Sequence, residues 1–239
     1  MQRQVEILPD RSAIVSRALE IVLEVYKRAI ARDGRFTIAV AGGSTPRPLY
    51  ELLAVQPLDW SKVHVFWGDE RYVPVSDPQS NEGMTRKAWL DRVSIPAANI
   101  HAMPTDESNP AVAAQKYEQH IQNFFNIKIG EFPKLDLVLL GIGDDGHTAS
   151  LFPGTAALEV RDRLITVGQK DSQPRITFTT PLINKADTIL FLVEGVGKAN
   201  ALKAIVATDG DATTYPARLI RTESIWLVDP TAWSAIADS

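Results

Sequence analysis

Residues 135–148 constrain the fold of this chain more than any other segment. They begin as an apolar run that is too uniform for a half-exposed strand, and the run stops abruptly at three glycines, two aspartates and a histidine. Such a run is typical of a buried parallel strand. In open α/β sheets, ligands bind in the crevice beyond the carboxyl ends of the strands. We therefore expect residues 141–148 to form a ligand-binding loop at that end of an α/β sheet.

Segments with strand and helix patterns alternate along the rest of the chain. Helices are predicted at residues 10–33, from the proline at 46 through residue 53, and at residues 109–126 and 198–207, and strands at residues 36–41, 63–67, 164–167, 188–193 and 224–228. The alternation predicts an α/β fold, with a mostly parallel, Rossmann-like sheet and helices on both faces. Residues 68–104 are predicted to be a long functional loop or mobile cover, with a short helical piece at residues 84–90. Because no repeat or linker is found, residues 1–239 are predicted to form one domain.

The composition excludes several classes of site and partner. The chain has 239 residues and no cysteine, which excludes disulfides, thiolate metal sites and a cysteine nucleophile. Its net charge is -4 and its basic residues form no run, so we expect no nucleic-acid partner. No apolar stretch approaches the roughly 20 residues that span a bilayer. The first residues lack the pattern of a signal peptide, so we expect a cytoplasmic protein with no membrane association.

The segment Ala-Gly-Gly-Ser-Thr-Pro at residues 41–46 follows a predicted strand. Gly42 and Gly43 would let the backbone approach a ligand closely, and Ser44 or Thr45 can cap the helix that follows. Free backbone N–H groups and the helix dipole would then favour a phosphate. An ordinary capped turn between a strand and a helix explains the same residues equally well.

Charged residues follow the next predicted strand. Asp69, Glu70 and Arg71 could position a polar substrate and stabilise a developing oxyanion. A solvated, salt-bridged turn would have the same sequence, and such surface pairs contribute little energy. Taken alone, this segment favours the salt-bridged turn.

The loop at residues 141–146 formally matches the G-x-G-x-x-G pattern of dinucleotide-binding proteins. However, it lies far from the first βα unit and places Asp144 and Asp145 where a pyrophosphate would bind, so NAD binding is not favoured. We expect Gly143 and its neighbouring glycines to shape a loop that presents Asp145 and His147. A histidine held in one tautomer by a carboxylate can act as a general base near neutral pH.

The other histidines and two basic residues have less informative surroundings. His64 lies inside a predicted strand and is expected to be structural, whereas His101 and His120 are expected on the surface without partners. No second histidine stands at ligand spacing from His147, so a metal site is not favoured. Arg175 opens a β-like segment. Lys198 follows a glycine pair after a buried strand, where it could add a positive charge to a phosphate pocket.

Together, these motifs resemble the 6-phosphogluconolactonase family. The matching segments keep the family's order along most of the chain, and they are residues 41–46, 68–74, 80–81, 141–154, 174–177 and 195–199. The resemblance implies an α/β fold of the sugar-phosphate isomerase/deaminase type. It also implies a monomer without a cofactor that hydrolyses 6-phospho-D-glucono-1,5-lactone to 6-phospho-D-gluconate, the second step of the oxidative pentose phosphate pathway.

The resemblance also implies roles for individual residues. The catalytic residues would be His147, Asp145, Arg71 and Asp69. The substrate- and phosphate-binding residues would be Gly42, Gly43, Ser44, Thr45, Gly143, Arg175 and Lys198. His147, oriented by Asp145, would activate a water molecule. Arg71 or backbone N–H groups would stabilise the oxyanion.

Two alternatives stay open. Glucosamine-6-phosphate deaminases share a similar glycine loop and Gly-x-Asp-Gly-His segment, but their histidine is followed by Asn-Glu-Pro with a catalytic glutamate. Here Phe152 precedes Pro153, so that glutamate is missing. A non-catalytic sugar-phosphate sensor on the same fold would keep the phosphate loop and could lose the base. The presence of both Asp145 and His147 argues against a sensor.

Overall fold

The computed structural model describes residues 3–220 and 223–237. Its strands are β1 (Gln4–Ile7), β2 (Phe36–Val40), β3 (Val63–Trp67), β4 (Asp69–Arg71), β5 (Ile100–His101), β6 (Leu137–Leu140), β7 (Ile165–Lys170), β8 (Gln173–Phe178), β9 (Thr188–Val193) and β10 (Ser224–Val228). Its α-helices are α1 (Arg11–Asp33), α2 (Arg47–Leu53), α3 (Asn81–Ala88), α4 (Pro110–Phe125), α5 (Thr180–Asn184), α6 (Ala199–Val206) and α7 (Pro230–Ala237). Among these helices, none has the length and apolar character needed to cross a membrane.

Seven strands form one parallel sheet in the order β1-β10-β9-β6-β2-β3-β5. Strands β2, β6 and β9 are buried along their whole length, as expected for a parallel sheet that is covered on both faces. The predicted α/β fold is therefore confirmed. The strand order runs from β2 outward to β5 on one side and from β6 outward to β10 and β1 on the other. The switch point lies between β2 and β6, where a ligand crevice is expected.

Three further strands form a small antiparallel sheet in the order β4-β8-β7. Strands β7 and β8 are joined by a tight hairpin whose two turn residues, Asp171 and Ser172, have φ angles of 50° and 63°. Positive φ at both positions is typical of a two-residue type I′ turn. The predicted strand at residues 164–167 belongs to this sheet. The pairing of β4 with β8 places Arg71 opposite Arg175.

Residues 68–104 are more ordered than the sequence predicts, because they contain β4, α3 and β5. Glu70 is buried, and its carboxylate accepts hydrogen bonds from the backbone at the start of α3. Trp89 is also buried, and its ring packs on Tyr50 with the two centroids 6.0 Å apart. This segment is packed against the main sheet and is not a loose cover.

The prediction of a surface position is wrong for His101, which is buried, and confirmed for His120, which is exposed. Both histidines have partners on other elements. His101 is buried on the edge strand β5, where Nε2 lies 3.2 Å from His64 Nδ1 and Nδ1 lies 2.7 Å from His120 Nε2. Its ring stacks on Phe66 with centroids 4.2 Å apart. Burial and, to a smaller extent, the two neighbouring histidines lower the pKa of His101 to about 3. The three rings therefore form a neutral packing cluster between α4, which carries His120, and the strands β3 and β5, and His64 is structural as predicted.

Candidate active site

A cavity of about 550 Å³ opens beyond the carboxyl ends of the central strands. It is lined by the segments that follow β2, β6 and β9, together with side chains from the small antiparallel sheet. Every predicted site residue except Asp145 lines this cavity, and Asp145 contacts the lining residue His147. Residues far apart along the chain thus converge at the switch point of the sheet.

His147 and Asp145 form a hydrogen-bonded dyad. His147 Nδ1 lies 2.5 Å from Asp145 Oδ1, and the backbone N–H of His147 donates to the same oxygen at 3.1 Å. Gly143 packs directly against this pair, since a Cβ at that position would lie 2.0 Å from His147 Nδ1. Gly143 therefore makes room for the dyad. Within the described residues, His147 Nε2 has no protein partner and is available to a ligand.

The electrostatic surroundings favour the neutral form of His147. Burial lowers the pKa of His147 below its ordinary value and outweighs the opposing attraction of Asp145, while Lys170 lowers it further. Lys170 Nζ lies 4.0 Å from Asp145 Oδ2 and 5.4 Å from the centre of the Phe152 ring. That ring in turn lies 4.5 Å from the His147 ring. A neutral imidazole near pH 7 is ready to accept a proton.

Arg71 and Arg175 face each other across β4 and β8. Like charges at opposite positions of a sheet repel each other. The pKa of Arg175 is lowered mainly by burial and, to a smaller extent, by the positive charge of Arg71. Arg71 Nη1 donates to the backbone oxygen of Gln79 at 2.6 Å. Nε of each arginine is buried and has no hydrogen-bond partner in the part of the chain that the structure describes. A pair of guanidinium groups with spare donors is suited to binding an anion or a developing oxyanion.

Asp69 lies beside the arginine pair and lines the cavity. Its carboxylate is buried and accepts a hydrogen bond of 2.6 Å from Ser150 Oγ. Its negative charge opposes the lowering of the pKa of both His147 and Arg175. Asp69 is therefore a buried charge that interacts with both the dyad and the arginine pair, and the interpretation as a solvated turn is wrong.

The loop after β2 differs from the prediction in its cap. Helix α2 begins at Arg47, and its N-cap is Pro46, which makes no side-chain hydrogen bond, so neither Ser44 nor Thr45 caps it. The reason is that residues 44–46 already form a turn that leads the chain into the helix. The two hydroxyl groups therefore remain available at the cavity wall. Gly43 has a φ of 95°, which explains the glycine at that position.

Lys198 and Arg11 also line the cavity, and each is paired with a carboxylate. Lys198 Nζ forms an ion pair with Asp144. Arg11 binds Glu194 through Nε and Nη2, at 3.0 and 2.9 Å from Oε2. Glu194 follows β9 directly, so both pairs lie at one end of the cavity. Asp144 is largely exposed, whereas the side chain of Glu194 is nearly buried, and both cations there are paired with a carboxylate.

Sequence reasoning missed several charged residues near the site, among them Arg11 and Lys170. Arg11 is the first residue of α1, 183 positions from its partner Glu194, and no local pattern marks it. Lys170 is brought near Asp145 only by the folding of the β7–β8 hairpin. The hairpin could have been predicted from the Asp-Ser turn between two β-like segments, although its docking on the dyad could not.

Comparison with known proteins assigns the family. A family model described as glucosamine-6-phosphate isomerases/6-phosphogluconolactonase matches residues 9–228. A protein named 6-phosphogluconolactonase from Nostoc sp. is 58% identical, with 99% of this chain and 100% of the relative covered. One of the same name from Synechocystis sp. is 56% identical, with 97% and 98% covered.

Solved structures agree with the sequence relatives. The structure of 6-phosphogluconolactonase from Trypanosoma cruzi has a TM-score of 0.86 and 27% identity, and the match covers 98% of this chain and 96% of that one. A monomeric glucosamine-6-phosphate deaminase, 18% identical, has a TM-score of 0.80, with 97% of this chain and 99% of that one covered, and shares the fold. The chain therefore belongs to the glucosamine-6-phosphate isomerase/6-phosphogluconolactonase family.

Proposed function

We propose that this chain hydrolyses 6-phospho-D-glucono-1,5-lactone to 6-phospho-D-gluconate, the second step of the oxidative pentose phosphate pathway. The observation that carries the proposal is the dyad of Asp145 and His147, whose free ring nitrogen shares a cavity with two arginines. An ester carbonyl needs a base to activate water and positive charge to stabilise the oxyanion, and this cavity holds both. Relatives more than half identical are named 6-phosphogluconolactonase.

His147 serves as the general base in this proposal. Its neutral Nε2 takes a proton from a water molecule as the water oxygen bonds to the lactone carbonyl carbon, C1. The imidazolium then gives that proton to the ring oxygen as the bond between C1 and that oxygen breaks. The overall reaction adds OH to C1 and H to the ring oxygen. Asp145 holds the proton on Nδ1, which leaves Nε2 to accept the proton of the water and then to return it.

Arg71 and Arg175 together stabilise the charge that develops on the carbonyl oxygen. Resemblance to the family suggests a phosphate contact for Arg175, but its pairing with Arg71 favours a place at the reacting carbonyl. The Arg175 guanidinium also lies 5.5 Å from the Phe152 ring, which contacts the His147 ring. The buried negative charge of Asp69 favours the charged form of Arg175.

The substrate phosphate binds at the loop after β2, where Gly43, Ser44 and Thr45 line the cavity, with Lys198 supplying a positive charge. Binding the phosphate there uses a part of the substrate that does not react to hold C1 against the base. Lys198 would exchange its contact with Asp144 for the phosphate or share it between the two.

We extend the proposal to the whole chain. Residues 1–239 act as one domain that works as a cytoplasmic monomer, without a cofactor and without a nucleic-acid partner. The net charge of -4 supports the last point, because binding to a phosphate backbone relies on clustered cations.

The test is an assay with 6-phosphoglucono-1,5-lactone prepared immediately before use, because the compound also hydrolyses spontaneously. We expect the purified protein to release acid faster than the uncatalysed reaction and to release no ammonia from glucosamine 6-phosphate. A well-folded protein that does not accelerate lactone hydrolysis would contradict the proposal. Ammonia release would favour a deaminase, and binding of either compound without turnover would favour a sensor.

A further inference from the structure

Asn81 is a buried side chain between two of the loops that form the cavity. It is the first residue of α3 and is 2% exposed. Its Nδ2 donates a hydrogen bond of 2.9 Å to the backbone oxygen of Asp69. Asn81 therefore holds the backbone of the turn that carries Asp69 and Arg71.

The other face of the Asn81 amide lies against Gly42. A Cβ at position 42 would be 1.7 Å from Asn81 Oδ1 and 2.2 Å from Asn81 Cγ. Gly42 does not have a positive φ, so its backbone conformation would accept any residue. At Gly43 the reverse holds, because φ is 95° and a Cβ would meet no atom within 4 Å. Position 42 is glycine because of Asn81, and position 43 because of its backbone.

The carboxylate of Glu70 connects the backbone of Asn81 to the same turn. Its Oε1 accepts hydrogen bonds of 2.8 Å from the backbone N–H groups of both Arg71 and Asn81. Its Oε2 accepts from the backbone N–H of Glu82 at 2.7 Å. The start of α3 and the turn of residues 69–71 therefore form one rigid unit.

Asn81 also carries an unusual polar atom. Its Oδ1 is buried and has no hydrogen-bond partner among the described residues. An unpaired buried acceptor lowers the stability of the folded protein. A residue that only filled this space would not need such an acceptor, so its presence points to a role in which the shape and direction of the amide matter.

We propose that Asn81 is a positioning residue that sets the turn of Asp69 and Arg71 against the loop of Gly42. The inference rests on the proposed function, in which that turn serves the reacting carbonyl and the Gly42 loop leads to the phosphate. Asn81 thereby maintains the distance between the two ends of the bound substrate. Without it, a bound phosphate no longer aligns C1 with the arginines and the base.

The experiment compares Asn81→Ala, Gly42→Ala and the double variant. For Asn81→Ala we expect kcat to fall by about 10- to 100-fold, as for a small misplacement of reacting groups. Inhibition by inorganic phosphate should change less than twofold, because the phosphate site itself is intact. Gly42→Ala should lose at least as much activity, because its methyl group overlaps Asn81. The double variant should be no worse than Asn81→Ala alone, since the overlap is gone.

Several outcomes would overturn the inference. The first is a wild-type kcat in Asn81→Ala, and the second is that kcat and the inhibition by inorganic phosphate weaken by the same factor. The third is that the double variant loses as much activity as the two single variants combined. Asn81→Asp keeps the shape of the side chain but places an oxygen opposite the Asp69 carbonyl, where the hydrogen-bond donor was. It should therefore behave like Asn81→Ala. If Asn81→Ala does not fold, Asn81→Asp takes its place in the experiment. Wild-type activity in Asn81→Asp would show that the hydrogen bond is not needed.

A reference variant separates this inference from the proposed function. If Asp69→Asn loses activity while the Asn81 variants do not, only the role of Asn81 is rejected. If Asp69→Asn and Arg71→Met both keep full activity, the proposed roles of the turn are rejected as well.

Discussion

The two ends of the cavity are built differently. At one end, Asp69, Arg71 and Arg175 belong to a small antiparallel sheet, and both arginines have a buried Nε without a partner. At the other end, Lys198 is paired with a carboxylate that is largely exposed. The first end offers N–H groups of the two arginines that are positioned before substrate binds. At the second end, the positive charge of Lys198 is already paired with the carboxylate of Asp144. We therefore expect changes at the first end to lower kcat and changes at the second to raise KM.

The largest effect is expected for His147→Ala, which removes the base at the reaction end. We expect kcat to fall by about 100- to 10,000-fold, the usual contribution of a general base. His120→Gln, a histidine change outside the cavity, is the control and should leave kcat unchanged. Steady-state rates with fresh lactone measure both variants. If His147→Ala has the thermal midpoint of the wild type and also its kcat, the base lies elsewhere.

Arg175→Met tests whether Arg175 belongs to the reaction end. Loss of an oxyanion donor lowers kcat by about 100-fold or more. We expect such a fall in kcat for Arg175→Met, with a smaller factor of change in KM. Arg163→Met, an exposed arginine before β7, is the control. A rise in KM with an unchanged kcat would move Arg175 to the phosphate and remove the contrast between the two ends.

Lys198→Met tests the phosphate end. A charged hydrogen bond contributes about 1.5 to 3 kcal/mol, so KM should rise at least roughly 10-fold, while kcat changes little. The matched control is Lys203→Met, an exposed lysine on the same helix region. The KM of the wild type should also rise with salt concentration, and that of Lys198→Met should depend on salt less. An unchanged KM would exclude Lys198 from the phosphate site.

Lys170→Gln should produce the smallest effect, seen in the pH profile. The positive charge of Lys170 lowers the pKa of His147, so removing it raises that pKa. Because the neutral base is the active form, the acidic limb of kcat/KM should move to higher pH, by roughly 0.2 to 0.7 pH unit for a partly exposed charge. Lys170→Arg keeps the charge and should show the wild-type profile. A shift of the acidic limb to lower pH would contradict the conclusion that Lys170 lowers the pKa of a base that acts in its neutral form.

Patterns along the chain were sufficient to predict the loop that holds Asp145 and His147. The uniform apolar residues of β6 can only belong to a buried strand, and the glycines after it mark its carboxyl end. Asp145 and His147 are two residues apart, so their contact depends on local backbone geometry that the sequence pattern already implies. The alternating strands and helices likewise predicted the parallel sheet, which the structure confirms.

Contacts between distant segments could not be predicted in this way. Residues 68–104 read as a loop because β4 consists of three charged residues, whose burial depends on pairing with β8. The buried His101 was predicted to lie on the surface because its partners, His64 and His120, lie on other elements. Neither error could have been avoided by local propensity, since burial there depends on tertiary contacts.

Local chemistry and the period of the apolar residues thus sufficed for the fold class and for the pairing of Asp145 with His147. The family followed from the resemblance of the motifs. The folded chain was needed to show that Arg71 lies opposite Arg175, that Lys170 approaches Asp145, and that Asn81 occupies the space above Gly42. Residues that are neighbours in sequence interact through short, predictable backbone geometry. Residues separated by tens of positions meet only after strand pairing and helix packing have set their distances, and no single segment carries that information.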